Sequence, residues 1–285
     1  MNFGLTDEQE MVVNTVRTFV ENEIYPLEKE VEKTGLVPDE IGQEIKNKVL
    51  KLGFFAPNMP EDVGGGGLDN LSFALLEREL GRGSQGLTIF WGRPSNILLA
   101  CNQEQKEEYL FPAIKGEKFD ALAMTEPGAG SDVRGMKCFA KKDGEDFIIN
   151  GTKHFISHAN IADFVIVFIA TGEEETPKGK KKLITCFLVD RGTPGFQIKD
   201  GYNSVSHRGY QNCILTFDNC RLPSSSAPLR YQSSGSGGAN QCNTRCKSGC
   251  DTVDTRPGRR EPAAVRLRRY HRSFSALRRR GNLHG

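Results

Sequence analysis

Near Phe119 the hydrophobic period of the chain changes from that of a helix to that of a strand. Before it, apolar residues recur three and four apart. Val12, Val13, Val16, Phe19 and Val20 form one stripe, and Ile41, Ile45, Val49 and Leu52 form another. After it, short β-branched and aromatic runs at 164–170 and 183–189, with further strands at 196–199 and 214–217, are separated by polar segments. Strands and helices do not alternate, so a parallel doubly wound sheet is excluded. The fold class read from this is α+β. An all-α part at residues 1–118 precedes an antiparallel β-barrel-like part at 119–226.

Local signals refine the helices. Thr6 and Gln9 match a capping box, and Pro26 marks the expected end of the first helix. A second helix follows Pro38 and stops at Gly53. Asp69 or Asn70 caps a third, carrying Leu71, Ala74, Leu75 and Leu80. Two more run from near Pro94 to Ala100 and from Gln103 to about Leu110. The four glycines at 64–67 have neither the Lys-Ser/Thr of a P-loop nor dinucleotide-fingerprint spacing, so they read as a flexible inter-helix loop. Asn150-Gly151 reads as a hairpin turn between strands at 147–149 and 154–156, with a longer loop as the alternative. Residues 173–182 read as a charged loop.

Charge divides the chain a second time. Residues 227–285 hold twelve Arg and one Lys against three acidic residues, a net of +10, which leaves −8 for residues 1–226. With sparse apolar residues and a Ser/Gly-rich start, this tail is expected to be disordered. The switch from Lys to Arg suggests a shifted reading frame or degenerate end. A natural disordered tail and a nucleic-acid-binding arm are the alternatives, the last disfavoured because few aromatics accompany the arginines. No apolar run is long enough to span a membrane, and the N-terminus lacks signal or transit features, so the expected location is cytoplasmic. Cys101, Cys138, Cys186, Cys213 and Cys220 are scattered singly, as buried small hydrophobes are. Cys242, Cys246 and Cys250 lack a clear fourth ligand, so no metal is expected.

The segment joining the two parts carries the chemistry. Ala123-Met124-Thr125-Glu126-Pro127-Gly128-Ala129-Gly130-Ser131-Asp132 resembles the first signature of the acyl-CoA dehydrogenase family almost residue for residue. Asn150-Gly151-Thr152-Lys153-His154-Phe155-Ile156-Ser157 is similar to that family's next strand. Glu104-Gln105-Lys106, Ser206-His207-Arg208-Gly209 and Phe217-Asp218-Asn219-Cys220-Arg221-Leu222-Pro223 extend the resemblance over about residues 3–226.

The resemblance implies FAD as cofactor and acyl-CoA as substrate, oxidised to 2,3-enoyl-CoA. It also implies a homo-oligomer and an electron-transfer flavoprotein as partner. By the same resemblance Leu122, Met124 and Thr125 contact the isoalloxazine, with the Thr125 hydroxyl near N5. Gly130 and Ser131 lie by the pyrophosphate and the acyl-CoA, and Phe155, Ile156 and Ser157 wall the flavin. The family often has Trp where this chain has Phe155, and Thr where it has Ser157. Glu126 and Asp132 read as loop-bonding residues, and His154, His158 and His207 as satisfied structural histidines. The family's catalytic base is a Glu of a third, helical domain that is not recognisable after Ser226, and no residue here inherits that role. The alternative function is a non-catalytic fragment that binds flavin weakly, or binds a partner or nucleic acid through its tail.

Overall fold

The computed structural model describes residues 4–231 apart from Lys178 and Pro228. The expected tail beyond 231, with Cys242, Cys246 and Cys250, lies outside the described residues.

Helix α1 (Asp7–Phe19) starts at the expected capping box. The Thr6 hydroxyl accepts from the Gln9 amide at 3.3 Å, and the Gln9 side chain accepts from the Thr6 amide at 3.1 Å. Pro26 does not end the helical path. A π-turn at Val20–Ile24 re-phases the backbone, and α2 (Tyr25–Thr34) begins with Pro26 in its first turn, where a missing N–H costs nothing. Helix α3 (Asp39–Leu52) stops at Gly53 in the left-handed region. Helix α4 (Asn70–Leu80) is capped by Asp69, whose carboxylate accepts from the amides of Leu71 and Ser72. Leu71, expected in its apolar stripe, is instead 54% exposed. Shorter helical segments carry the chain to residue 114.

The glycines at 64–67 form a packed loop, which corrects the expectation of flexibility. The amides of Gly65, Gly66 and Gly67 donate to the carbonyls of Pro60, Ala56 and Met59. A Cβ on Gly65 would lie 2.3 Å from Met59.

The sheet contains β1 (Asp120–Ala123), β2 (Phe139–Asp143), β3 (Asp146–Ser157), β4 (Phe164–Thr176), β5 (Gly179–Asp190), β6 (Phe196–Tyr202), β7 (Asn212–Pro223) and β8 (Leu229–Tyr231). Its order is β6-β7-β3-β2-β4-β5-β8, with β1 also paired to β4. Most pairings are antiparallel, but β1 and β2 both run parallel to β4, so this curled half-barrel is mixed. Both also touch β3 on their other side. They lie end to end in one line between β3 and β4, and residues 124–138 leave and re-enter the sheet along that line.

Two sequence expectations change here. Asn150-Gly151 makes no hairpin. Residues 146–157 are one strand, in which Asn150 faces a bulge of β7 at Asp218 and Asn219, and the true turn lies at Gly144, next to the Asp143–Asp146 pair. Residues 173–182 are no loop. The strands β4 and β5 extend as a two-stranded arm because acidic and basic residues face each other across it, as Glu174 and Lys181 do at 3.1 Å.

Strand β4 explains its own continuous apolar run. Phe164, Ile166 and Phe168 pack with the helices around Trp91, whose ring meets Phe19 edge-on at 5.0 Å. Val165, Val167 and Ile169 point the other way, into a second core inside the half-barrel. The strand is buried on both faces, which removes the polar alternation of a surface strand.

Candidate functional site

The loop at 124–138 is anchored at its stem by a buried ion pair. Lys153, on β3, is fully buried, and its ammonium donates to Glu126 Oε1 at 2.8 Å and to the Met124 carbonyl at 2.9 Å. The Glu126 carboxylate also accepts from the backbone amides of Lys137 and Cys138 at the far end of the loop. Glu126 therefore does the loop-bonding expected of it. Lys153 is the functional residue that sequence reasoning passed over. Its signal was a lysine in an otherwise apolar inward-facing set on a strand, where a charge is rarely buried unpaired. Asp132 is exposed and precedes a short turn at Val133–Gly135.

The amide of His154 donates to the Thr125 carbonyl at 2.8 Å, which ties the start of the loop to β3 beside Phe155. Leu122, 43% exposed, projects from the outer face of β1, while Ala121 and Ala123 enter the barrel core. Met124 and Thr125 are half-buried, and the Thr125 and Ser131 hydroxyls have no protein hydrogen-bond partner among the described residues. A register shift in the β3–β7 ladder between Lys153 and Ile156 turns Phe155 outward. It stands 54% exposed with φ at 55°, a costly backbone for an aromatic residue. Ser157 donates to the Asn212 side chain at 3.2 Å.

The structure thus gathers Leu122 of β1, Met124 and Thr125 at the start of the loop, and Phe155 and Ser157 of β3 at adjoining positions. Gly130 and Ser131 lie on the exposed outer limb of the same loop. Ile156 differs from its neighbours. Its side chain is buried in the half-barrel core, leaving only its backbone for a ligand. A Cβ at Gly128 or Gly130 would meet nothing within 4 Å, and neither residue has a positive φ. Neither turn geometry nor internal packing requires glycine there, so the ledge is open to something outside the chain.

A cavity of about 300 Å³ lies where the helices meet the start of β1, lined in part by Phe55, Arg93, Phe119, Asp120, His158 and Tyr210. Burial pushes the Asp120 carboxyl up to about 6, against a weak bond from the Ser95 amide. Burial also pushes His158 down to about 4, with Arg93 adding to the effect and the Asp120 carbonyl opposing it. That carbonyl only accepts, so Nε2 of His158 carries the proton at 3.0 Å from it, and Nδ1 faces the Tyr210 hydroxyl at 3.3 Å. His158 is thereby a satisfied structural histidine.

Because its folded value lies below the ordinary one near 6.5, His158 supports the fold fully above that pH and progressively less as pH falls toward 4. Asp120, whose folded value is raised, acts in the opposite sense over the same window. A His158→Asn variant retains Asp120 and should isolate the histidine. Its stability deficit relative to wild type, measured by urea unfolding, should shrink by about 1–2 kcal/mol between pH 7 and pH 5. A deficit independent of pH would contradict the assignment.

Burial pushes the thiol of Cys138 up to about 12 and those of Cys101 and Cys220 up to about 11, so these cysteines stay protonated at neutral pH. Among the described residues no group of three or more His, Cys, Asp or Glu side chains could hold a metal ion. No described helix is long and apolar enough to cross a membrane.

Residues 6–117 match the family model for the acyl-CoA dehydrogenase N-terminal domain, and residues 121–220 match that for the acyl-CoA dehydrogenase middle domain. The chain belongs to the acyl-CoA dehydrogenase family. Among curated relatives in the family, a 3-(aryl)acrylate reductase of Clostridium sporogenes is 36% identical over 222 residues, 76% of this chain and 57% of the relative. A mitochondrial isovaleryl-CoA dehydrogenase of Pongo abelii is 34% identical over 225 residues, 77% of this chain and 52% of the relative. The chain spans little more than half the length of these relatives. A glutaryl-CoA dehydrogenase from Mycobacterium smegmatis, solved in complex with FADH2, superposes with a TM-score of 0.68 at 29% identity, covering 79% of this chain and 56% of that one.

Proposed function

We propose that the loop at 124–138 and strand β3 form a flavin and acyl-CoA half-site of a flavin-dependent oxidoreductase of the acyl-CoA dehydrogenase type. The observation that carries this reading is the open glycine ledge beside an exposed Leu122 and Phe155 and a Thr125 hydroxyl with no partner among the described residues. An isoalloxazine is flat and apolar on its faces, with hydrogen-bonding edges. Leu122 and Phe155 suit the face, and the Thr125 hydroxyl suits an edge. Ser131, on the glycine ledge, suits the pyrophosphate or the thioester substrate, and glycine there lets backbone approach closely. FAD, when bound, supplies the hydride acceptor for the oxidation of an acyl-CoA to its 2,3-enoyl-CoA.

The residues named here bind and orient. We assign the α-proton base to none of the described residues. By family, an electron-transfer flavoprotein takes the electrons, and a homo-oligomer completes the flavin site. The two curated relatives carry opposite names, one a reductase and one a dehydrogenase. A site that binds the transition state serves both directions, so the half-site by itself does not set the direction.

Titration of the full chain with FAD, followed by flavin fluorescence, tests the reading. Wild type should bind. Gly130→Val, which puts a branched side chain on the ledge, should weaken binding at least about tenfold at unchanged unfolding midpoint, the steric loss of a close contact. Equal affinity of wild type and Gly130→Val would sink the ledge as a binding element. No affinity in either would sink the flavin reading itself.

A further inference from the structure

Strands β3 and β6 are not neighbours, since β7 lies between them. Even so, Phe155 of β3 and Tyr202 of β6 stack with ring centroids 4.7 Å apart and planes at 29°. Two irregularities make this possible. The β3–β7 ladder shifts register between Lys153 and Ile156, and the β6–β7 ladder shifts between Lys199 and Tyr202. The first shift ends at the Ile156–Cys213 pair and the second at the Tyr202–Asn212 pair, so both ladders resume side by side, with Asn212 paired to Ser157 on one side and to Tyr202 on the other. Gly201 completes the approach. A Cβ there would lie 1.6 Å from the Asn212 carbonyl oxygen, so only glycine lets β6 come this close just before Tyr202.

A third ring locks the pair. The His154 Nε2 and the Tyr202 hydroxyl are 3.1 Å apart, and the His154 ring lies edge-on to both Phe155 and Tyr202. None of this serves the core, because Phe155 and Tyr202 are 54% and 43% exposed. Two ladder irregularities, an obligatory glycine and a left-handed aromatic residue converge on a surface cluster. Such strain persists where the surroundings hold it for a purpose.

Resting on the flavin reading above, we propose that Tyr202 is a positioning residue for the flavin wall. It backs the Phe155 ring from behind, so that a single ring held in one orientation offers the stacking surface, and His154 holds Tyr202 in turn. A lone exposed phenylalanine samples several rotamers. A ligand that stacks on it must first restrict them, and Tyr202 removes that cost in advance.

The test uses the full-length chain loaded with FAD. Tyr202→Ala should weaken FAD binding about 5- to 10-fold, the scale of one aromatic pair, and alter the visible circular dichroism of the bound flavin. Tyr202→Phe, which keeps the ring and loses only the bond to His154, should retain most of the affinity and the wild-type spectrum. In a Phe155→Ala background, Tyr202→Ala should add less than about a twofold further loss, because its effect passes through Phe155. Unfolding midpoints without FAD identify any general damage, and Tyr202→Trp should rescue binding where Tyr202→Ala does not. If Tyr202→Ala leaves affinity and spectrum at wild-type values while Phe155→Ala loses both, the positioning role is overturned and the flavin reading stands. If Phe155→Ala binds FAD as wild type does, the wall itself is misplaced and the proposal falls with it.

Discussion

Replacing Lys153 with methionine should lower stability by about 3–5 kcal/mol, because it leaves the Glu126 carboxylate buried without its counter-charge. Methionine matches the length of the lysine stem, so packing is largely preserved and the loss is electrostatic. Lys153 also donates to the Met124 carbonyl, which becomes a second unsatisfied group. The damage should be local first. Met124 and the amides of Lys137 and Cys138 are the two ends of the loop, and all of them are held through this pair.

A paired change separates the contributions. Adding Glu126→Leu removes the stranded charge and should recover part of the loss. It should not recover all of it, since the amides of Lys137 and Cys138 then lose their acceptor. Denaturant unfolding of the three variants at pH 7 measures both steps. A Lys153→Met deficit below about 1 kcal/mol would show that the ion pair does not hold the loop.

Gly151→Ala should cost about 3 kcal/mol or more, combining overpacking with backbone strain. The added Cβ would sit 2.2 Å from Cys138 Sγ and 2.8 Å from Cys138 Cα, at a φ of 138° that L-residues rarely adopt. Sulfur alone could move aside, but the Cα belongs to the chain entering β2. Cys138→Ala should therefore relieve only part of the effect. Full rescue by Cys138→Ala would mean that the contact with sulfur, and not the backbone conformation or the approach to Cys138 Cα, demands the glycine. A thermal midpoint near wild type for Gly151→Ala alone would remove the close approach altogether.

Gly151 also shows where reading the sequence was bound to fail. Asn-Gly is a strong hairpin signal because both residues tolerate positive φ, and a strand position pressed against its neighbour, as Gly151 is at φ 138°, uses the same tolerance. Only the partner strand tells the two apart, and Cys138 and Phe217 are distant in sequence. Pro26 failed for a related reason, since a π-turn resets the helix just before it and leaves no trace in composition. The capping box at Thr6, the stop at Gly53 and the strand at 164–170 were legible because each depends on residues within a few positions. The loop and strand of the proposed site were legible as a motif, from Thr125 through Ser131 and at Phe155. Its support was not. Lys153 sat inside the quoted motif without a role until the structure placed Glu126 beside it, and Tyr202 gave no local signal at all.

The collinear placement of β1 and β2 bears on the cost of ordering the loop between them. Its two ends are neighbours in one strand line, fixed by β4 on one side and by β3 on the other whether or not anything is bound. Closing the loop is thus an expense of folding, already met before a ligand arrives. A ligand settling on the ledge needs to order only the exposed outer limb around Gly128 to Ser131. Few dihedral angles remain to be restricted there, so a half-site of this kind retains more of its gross contact energy as affinity than a free surface loop of the same length.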